Sequence, residues 1–464
     1  MNIPMKTTIP KLLSMTYFLL IFVCFFNLNS VQASGEGFIQ KEINQAAPGE
    51  KVTIPSGTYE ETVVIDKPIT LEGNNVDWIS EAGETLVTIE ADNVTIQGIK
   101  FKQGDQTLEQ EMIPGEEFSP NEPKPTIRVT SSSSFTFQDN YVDTIGSGIF
   151  GENNHNFTVE NNKFTGVYSS FIDQGLAAVE LYETDEVYIE ENLVENVLDG
   201  FYLDSLSHAN IINNTVKNSR YATHLMYSSS ILGDSNRFQD NVNGLMIMDT
   251  TDAVFSENTL VDQFHVNGYG VLMYRSKGIE LFDNEISRNI TGIKLEEAER
   301  VKIHDNIVAG NQKGIAWERQ REDFEFHNNI MVSNVLSTQG DDNDEAITLY
   351  SGKKGNYWDD YNLVDKDGDR IGEKPYLAGS IYDSLLSAKP EWQLFMNSPA
   401  MTIWSQVTEW LPPPQDAQVM DAYPQTDYSI KQSNSTFSSA GYGWMGLILL
   451  MTAGTSVFYF RKEK

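Results

Sequence analysis

From residue 126 onward the chain repeats apolar-x-apolar triplets at a near-constant distance. A column of small or polar residues precedes the triplets: Thr126, Gly148, Ala178, Gly200, Thr223, Gly244, Gly270, Gly292 and Gly314. The intervals are 22, 30, 22, 23, 21, 26, 22 and 22 residues. A second column keeps the same phase at Asn140, Asn162, Asn192, Asn214, Asn236, Asn258, Asn284, Asn306 and Asn329. Alternation with period two marks short strands, and no segment within a repeat is long enough for a helix. Repeats this short, punctuated by Gly and Asn, form solenoids. Three strands per repeat predict an all-β, right-handed parallel β-helix of about 22 residues per coil, each coil resting about 4.8 Å from the next. Asparagine suits the corner because it tolerates the left-handed conformation and because its amide can bond the Asn one coil away. Eleven triplets between Val87 and Ile347 predict eleven coils. Phe38, Ile39, Ile43 and Ala46 fit an amphipathic helical cap on the open N-terminal end. An acidic insertion at 106–125 and a loop near 166–175 interrupt the period.

Alternation also sets which side chains point out. In Gly292-Ile293-Lys294-Leu295-Glu296 the charges must face water, so the first and third residues after the column face the core. Copied along the stack, this register puts Tyr202, Leu225, Tyr227, Met246, Met248, Leu272 and Tyr274 on the outside, a partner-binding strip bounded by Glu180, Lys294 and Glu296. His224, Met226 and Met273 point inward in the same register. Thioether and imidazole together suit Cu(I), which makes His224, Met226, Met246, Met248 and Met273 candidate copper ligands. The inward three have a structural reading that weighs more: Met226 and Met273 as core fillers and His224 as a hydrogen-bonded core histidine. After the last coil, Asp365, Asp367 and Asp369 stand at alternate positions around a glycine, a spacing that can wrap Ca²⁺ or form a solvated turn.

The ends carry addresses. Lys6 and Lys11 precede an apolar run ending near Phe26, and Val31 and Ala33 suit cleavage, so 1–33 reads as a secretory signal. The only cysteine, Cys24, falls inside it, which leaves no thiolate chemistry in the mature chain. Residues 34–351 read as the capped β-helix and 352–414 as a C-terminal cap with short helices. A flexible stalk at 415–443 leads to a transmembrane helix at 444–460 and a basic cytoplasmic tail at 461–464. The expectation is an exported protein at the outer face of the cell membrane. With 66 acidic against 32 basic residues, the net charge of −34 argues against nucleic acid as a partner.

Six stretches stand out beside the repeat: the opening 39–60, Ile65 to Gly73, Arg220-Tyr-Ala-Thr-His-Leu-Met-Tyr227, Gly355-Asn-Tyr-Trp-Asp-Asp-Tyr361, Asp365 to Gly372, and Asn397-Ser-Pro-Ala400. In these the chain resembles the NosD family of copper-processing periplasmic β-helix proteins. The resemblance implies an accessory subunit working with an ABC permease and ATPase, a copper-delivery lipoprotein and nitrous-oxide reductase, whose copper centre the system helps assemble. The C-terminal membrane helix departs from that soluble pattern. A polysaccharide-binding or polysaccharide-cleaving β-helix is the competing reading. Cleavage needs paired carboxylates across a groove, whereas Glu180, Asp204, Glu296 and Glu318 stand apart from any Asn-Thr-Asp or Gly-His-Gly cluster. The sequence therefore reads as a non-enzyme.

Overall fold

The computed structural model describes residues 37–104, 124–166, 176–263, 265–319, 323–340, 347–361, 365–378 and 419–428. The signal segment 1–33, most of the insertion at 106–125, the loop 167–175, the short C-terminal helices at 380–411 and the membrane segment 444–460 lie outside the described residues. Among the described residues no helix is long and apolar enough to cross a membrane.

The chain is an all-β, right-handed parallel β-solenoid of about 12 turns with about 22 residues per coil. It divides into two compact units, Met1–Arg237 and Phe238–Lys464. Each coil gives one strand to each of three parallel sheets. In the first unit, Ser133–Gln138 pairs with His155–Glu160, Tyr141–Thr144 with Lys163–Gly166, and Ile149–Glu152 with Val179–Tyr182. The inward residues are apolar and fully buried. Trp78, Phe101, Phe137 and Phe164 stack through successive coils, their ring centroids 5.5, 5.8 and 6.3 Å apart. Burial of such side chains, about 1.5–3 kcal/mol each, is the main force holding coil to coil.

The sequence count of eleven misses a coil and misplaces another. An extra coil opens the first unit, its third strand Val63–Ile65 pairing with Val87–Ile89. In the second unit, Ile347–Thr348 is not a coil strand but pairs with Val419–Met420 in a separate three-stranded sheet. The last strand of the third sheet is Leu336–Gln339. Its Leu-Ser-Thr lacks an apolar third residue, whereas Ile-Thr-Leu at 347–349 imitates the repeat signature.

The asparagine column forms a buried ladder. In the second unit the backbone N–H groups of Asn258, Asn284, Asn306 and Asn329 donate to the side-chain oxygens of Asn284, Asn306, Asn329 and Asn356 at 2.9–3.1 Å. The amide nitrogens of Asn284, Asn306, Asn329 and Asn356 also reach backbone carbonyls, as Asn306 does to Leu281 at 2.8 Å. The expected left-handed corner is displaced by one residue. Positive φ belongs to Asp283 (53°), Asp305 (57°) and Asn328 (56°), each just before a ladder asparagine. The turn residue and the ladder residue are thus different positions, and Asn holds the column because an amide can both accept and donate.

The ladder ends on an acid. Asp421 is fully buried, and its carboxylate accepts from Asn356 N (2.7 Å), Trp358 Nε1 (2.9 Å) and Tyr423 N (3.0 Å). It stands where the next asparagine would be, and burial pushes its pKa up. The expected stalk at 415–443 is corrected at 419–428: Val419–Asp421 is a strand antiparallel to Tyr376–Ala378, and Gln425 N donates to Asn356 O. At the other end, helix Phe38–Gln45 buries Ile39 and Ile43. Its start has no side-chain cap of its own. Glu61 from the first coil supplies the acceptors, taking Ile39 N (2.9 Å) and Gln40 N (3.2 Å).

Candidate functional site

The outer face of the third sheet carries the chemistry in the first unit. Strand pairing aligns Phe150, Glu180, Tyr202 and His224 in one outward row, and Glu152, Tyr182, Asp204 and Met226 in the next. This corrects the expected register of one coil. Thr223 pairs with Phe201 and Leu225 with Leu203, so Thr223 and Leu225 face the core and are fully buried. His224 and Met226 point outward. The column member is Ala222, one coil after Gly200, where a Cβ would strike the Ala222 carbonyl oxygen. Ala222 and Thr223 are both small, which is why spacing alone could not choose between them.

The correction assembles a compact site. His224 lies between Tyr202 and Tyr221, edge-on to both at 4.9 Å between centroids. Its Nδ1 is 3.2 Å from Asp199 Oδ2. Arg220 grips the same carboxylate with two bonds, Nε to Oδ1 at 2.9 Å and a terminal nitrogen to Oδ2 at 2.8 Å. A carboxylate in that fork only accepts, so Nδ1 donates to it, and in the neutral imidazole the lone pair is on Nε2. That Nε2 is buried and, among the described residues, has no hydrogen-bond partner, and His224 is 8% exposed. Two residues along, the Tyr202 hydroxyl lies 3.4 Å from Met226 Sδ and donates to it. Tyr182 donates to Glu180 Oε1 at 2.9 Å, and Ser147 donates to the other oxygen. Burial and the nearby carboxylates push the Tyr182 and Tyr202 hydroxyl pKa values up, with burial the larger cause, and burial does the same at Tyr221. The phenols therefore serve as hydrogen-bond donors.

Arg220 and Tyr221 stand in the Arg220–Tyr227 motif without a role assigned from sequence, and Asp199 was not singled out. Asp199 and Arg220 stand 21 residues apart, close to one coil, a spacing that puts opposite charges on neighbouring rungs. That was the available signal.

In the second unit, Met246 pairs with Leu272 and Met248 with Tyr274, all on the outer face, while Met273 is inward and fully buried. Met246 and Leu272 are only 9% and 8% exposed, and Arg275 covers Tyr274 at 4.8 Å. Of the seven residues expected in an exposed strip, Tyr227 alone is largely exposed, at 56%, and it sits in the turn after its strand with φ of 49°. A continuous sticky stripe is therefore not what the fold presents. The acidic loop brings the carboxylates of Asp365, Asp367 and Glu373 within 4.8 Å of one another. Asp369 accepts Ile371 N at 2.8 Å and is not part of that group.

The comparisons agree with the resemblance. The family described as "Periplasmic copper-binding protein (NosD)" matches residues 168–363. A "Probable ABC transporter binding protein NosD" from Stutzerimonas stutzeri is 25% identical over 158 residues, 34% of this chain and 31% of that protein. One of the same description from Pseudomonas aeruginosa is 28% identical over 123 residues, 26% of this chain and 28% of that protein. The alignments thus span about a third of the relatives' length. Among solved structures, a surface adhesin of Streptococcus pneumoniae, PfbA, superposes with TM-score 0.44 at 13% identity, covering 67% of this chain and 91% of that one. A periplasmic alginate epimerase, AlgG, gives 0.47 at 13% identity, covering 64% and 76%. Residues 168–363, the stretch that matches the NosD family model, contain the Asp199, Arg220, His224 and Met226 site.

Proposed function

We propose that this protein is an extracytoplasmic accessory subunit of an ABC-type transport system that handles copper for the copper centre of nitrous-oxide reductase. The observation that carries the reading is the His224 imidazole: oriented by Asp199, nearly buried, and with an unused Nε2. A histidine held through its other nitrogen by a carboxylate is how proteins prepare a metal ligand. Met226 on the same strand face adds a thioether, and soft sulfur with imidazole favours Cu(I) among available ions. Copper here is cargo, and a two-donor site without thiolate suits an ion that must be passed on. Asp199 and Arg220 position the imidazole; Tyr202 positions the sulfur.

The exported location follows from the signal at 1–33, and the apolar segment 444–460 would hold the chain at the outer face of the membrane. The permease, the ATPase, a copper-delivery lipoprotein and the reductase are its partners in this reading, with the protein a carrier and not an enzyme. Met246, Met248, Leu272 and Tyr274 in the second unit belong to the partner contact, and Met273 to the core. The acidic loop is a separate calcium site, with Glu373 joining Asp365 and Asp367.

Titration of the mature chain with Cu(I) against a chromogenic chelator under reducing conditions tests the reading. Saturable binding that weakens at least tenfold in both His224→Ala and Met226→Leu is expected. Binding unchanged in the two variants would remove the site.

A further inference from the structure

On the outer face of the third sheet in the second unit lies a hollow of about 560 Å³, lined by none of the residues invoked above for copper. Small residues create it. Thr291 and Ala316, on strands Thr291–Glu296 and Lys313–Glu318, line it beside the larger Lys313 and Lys294. Asn267 and Gln339 stand on its rim, and Lys294, Lys313 and Glu318 line it. Among the described residues some lysines reach a carboxylate within 4 Å. Lys294 does, with Glu296 at 3.6 Å and Glu318 at 3.4 Å. Lys313 is half-buried, and among the described residues no carboxylate lies within 4 Å of its ammonium. Burial and the charge of Lys294 both push its pKa down. A partly desolvated cation facing an open hollow, with a second cation one rung away, attracts a negative group from outside.

The rest of the lining narrows the chemistry. Glu318 repels a dianion such as phosphate but accepts hydrogen bonds from hydroxyl groups. Asn267, Gln339 and Thr291 offer neutral donors and acceptors suited to the same hydroxyls. We propose that this hollow binds an acidic sugar, its single carboxylate on Lys313 and its hydroxyls on Glu318 and the neutral rim. The site goes beyond the copper reading and does not depend on it.

The test is titration calorimetry of the mature chain with galacturonate and glucuronate, with glucose and inorganic phosphate as controls. A uronate is expected to bind at least tenfold more tightly than glucose or phosphate. That binding should weaken as salt rises, fall at least tenfold in Lys313→Met and persist in Lys313→Arg. Segment 341–345 reads Asp-Asp-Asn-Asp-Glu, so a chain with those acids changed to Asn and Gln is titrated in parallel. No saturable uronate binding in either chain overturns the proposal. So does equal binding of phosphate, or indifference to Lys313→Met. Because the Cu(I) titration of these variants is expected to match the parent chain, failure here is distinguishable from failure of the copper site.

Discussion

The buried carboxylate of Asp421 ties residues 419–428 to the last coil, and replacing it with alanine gives a measurable loss. Its two oxygens accept three good bonds, from Asn356 N, Trp358 Nε1 and Tyr423 N at 2.7, 2.9 and 3.0 Å. Asp421→Ala leaves these donors without an acceptor at a position closed to water. At about 1–3 kcal/mol for each of the three stranded donors, the penalty is about 3–9 kcal/mol. The chain has a cheaper escape, which is to release the segment and let water reach the donors. The expected readout is therefore local opening rather than collapse of the solenoid. Hydrogen exchange reports it at Leu349 N, bonded to Met420 O, and at Gln425 N, bonded to Asn356 O. A loss of 3 kcal/mol corresponds to about a hundredfold drop in protection. Exchange at Val308, deep in the second unit, should hardly change. Asp421→Asn keeps one acceptor oxygen and should fall between. Protection at Leu349 and Gln425 unchanged in Asp421→Ala would refute the anchoring role and return the segment to a free stalk.

Asn306→Ala should destabilise its coil by about 2–5 kcal/mol, because Asn284 N and Leu281 O both lose buried partners. Pulse proteolysis across a urea series measures it, and a loss under 1 kcal/mol would mean that water replaces the amide. The Asp185 carboxyl, held by Ser207 Oγ at 2.6 Å and His208 Nδ1 at 3.0 Å, has its pKa pushed down to about 2. A depressed carboxylate contributes stability above its unfolded pKa, lost as pH falls toward 2. Carbon-detected titration should find it ionised at pH 3 and find Ser207→Ala shifted upward. His304, bonded to Glu280 at 3.0 Å and Asp305 at 2.8 Å, has its pKa raised by those carboxylates against the opposing effect of burial. Its contribution is complete below the unfolded value and fades as pH rises through the folded one. Proton NMR should show the imidazole still charged above pH 6.5, and Glu280→Gln should lower its titration point.

The solenoid was legible because its repeat is written twice, once in the glycine-rich column and once in the asparagines. A period shared by two columns leaves few folds open. Failures came where one residue decides a face. At 222–223 two small neighbours fit the column equally, and choosing Thr223 over Ala222 inverted His224, Leu225 and Met226. The candidate ligands His224 and Met226 were readable from residue type, whereas Asp199 and Arg220 were not. Their roles exist only through contacts across rungs, and bidentate geometry leaves no trace in a linear pattern. The strand at 419–421 escaped for a similar reason: a three-residue strand carries too little alternation to stand out from a polar tether.

X-ray absorption at the copper edge of the mature chain loaded with one equivalent of Cu(I) most directly tests whether this face handles the metal. An imidazole nitrogen and a thioether sulfur in the coordination shell are expected, with the sulfur lost in Met226→Leu and the nitrogen lost in His224→Ala. A spectrum identical in the parent and both variants would place the copper elsewhere and contradict the account.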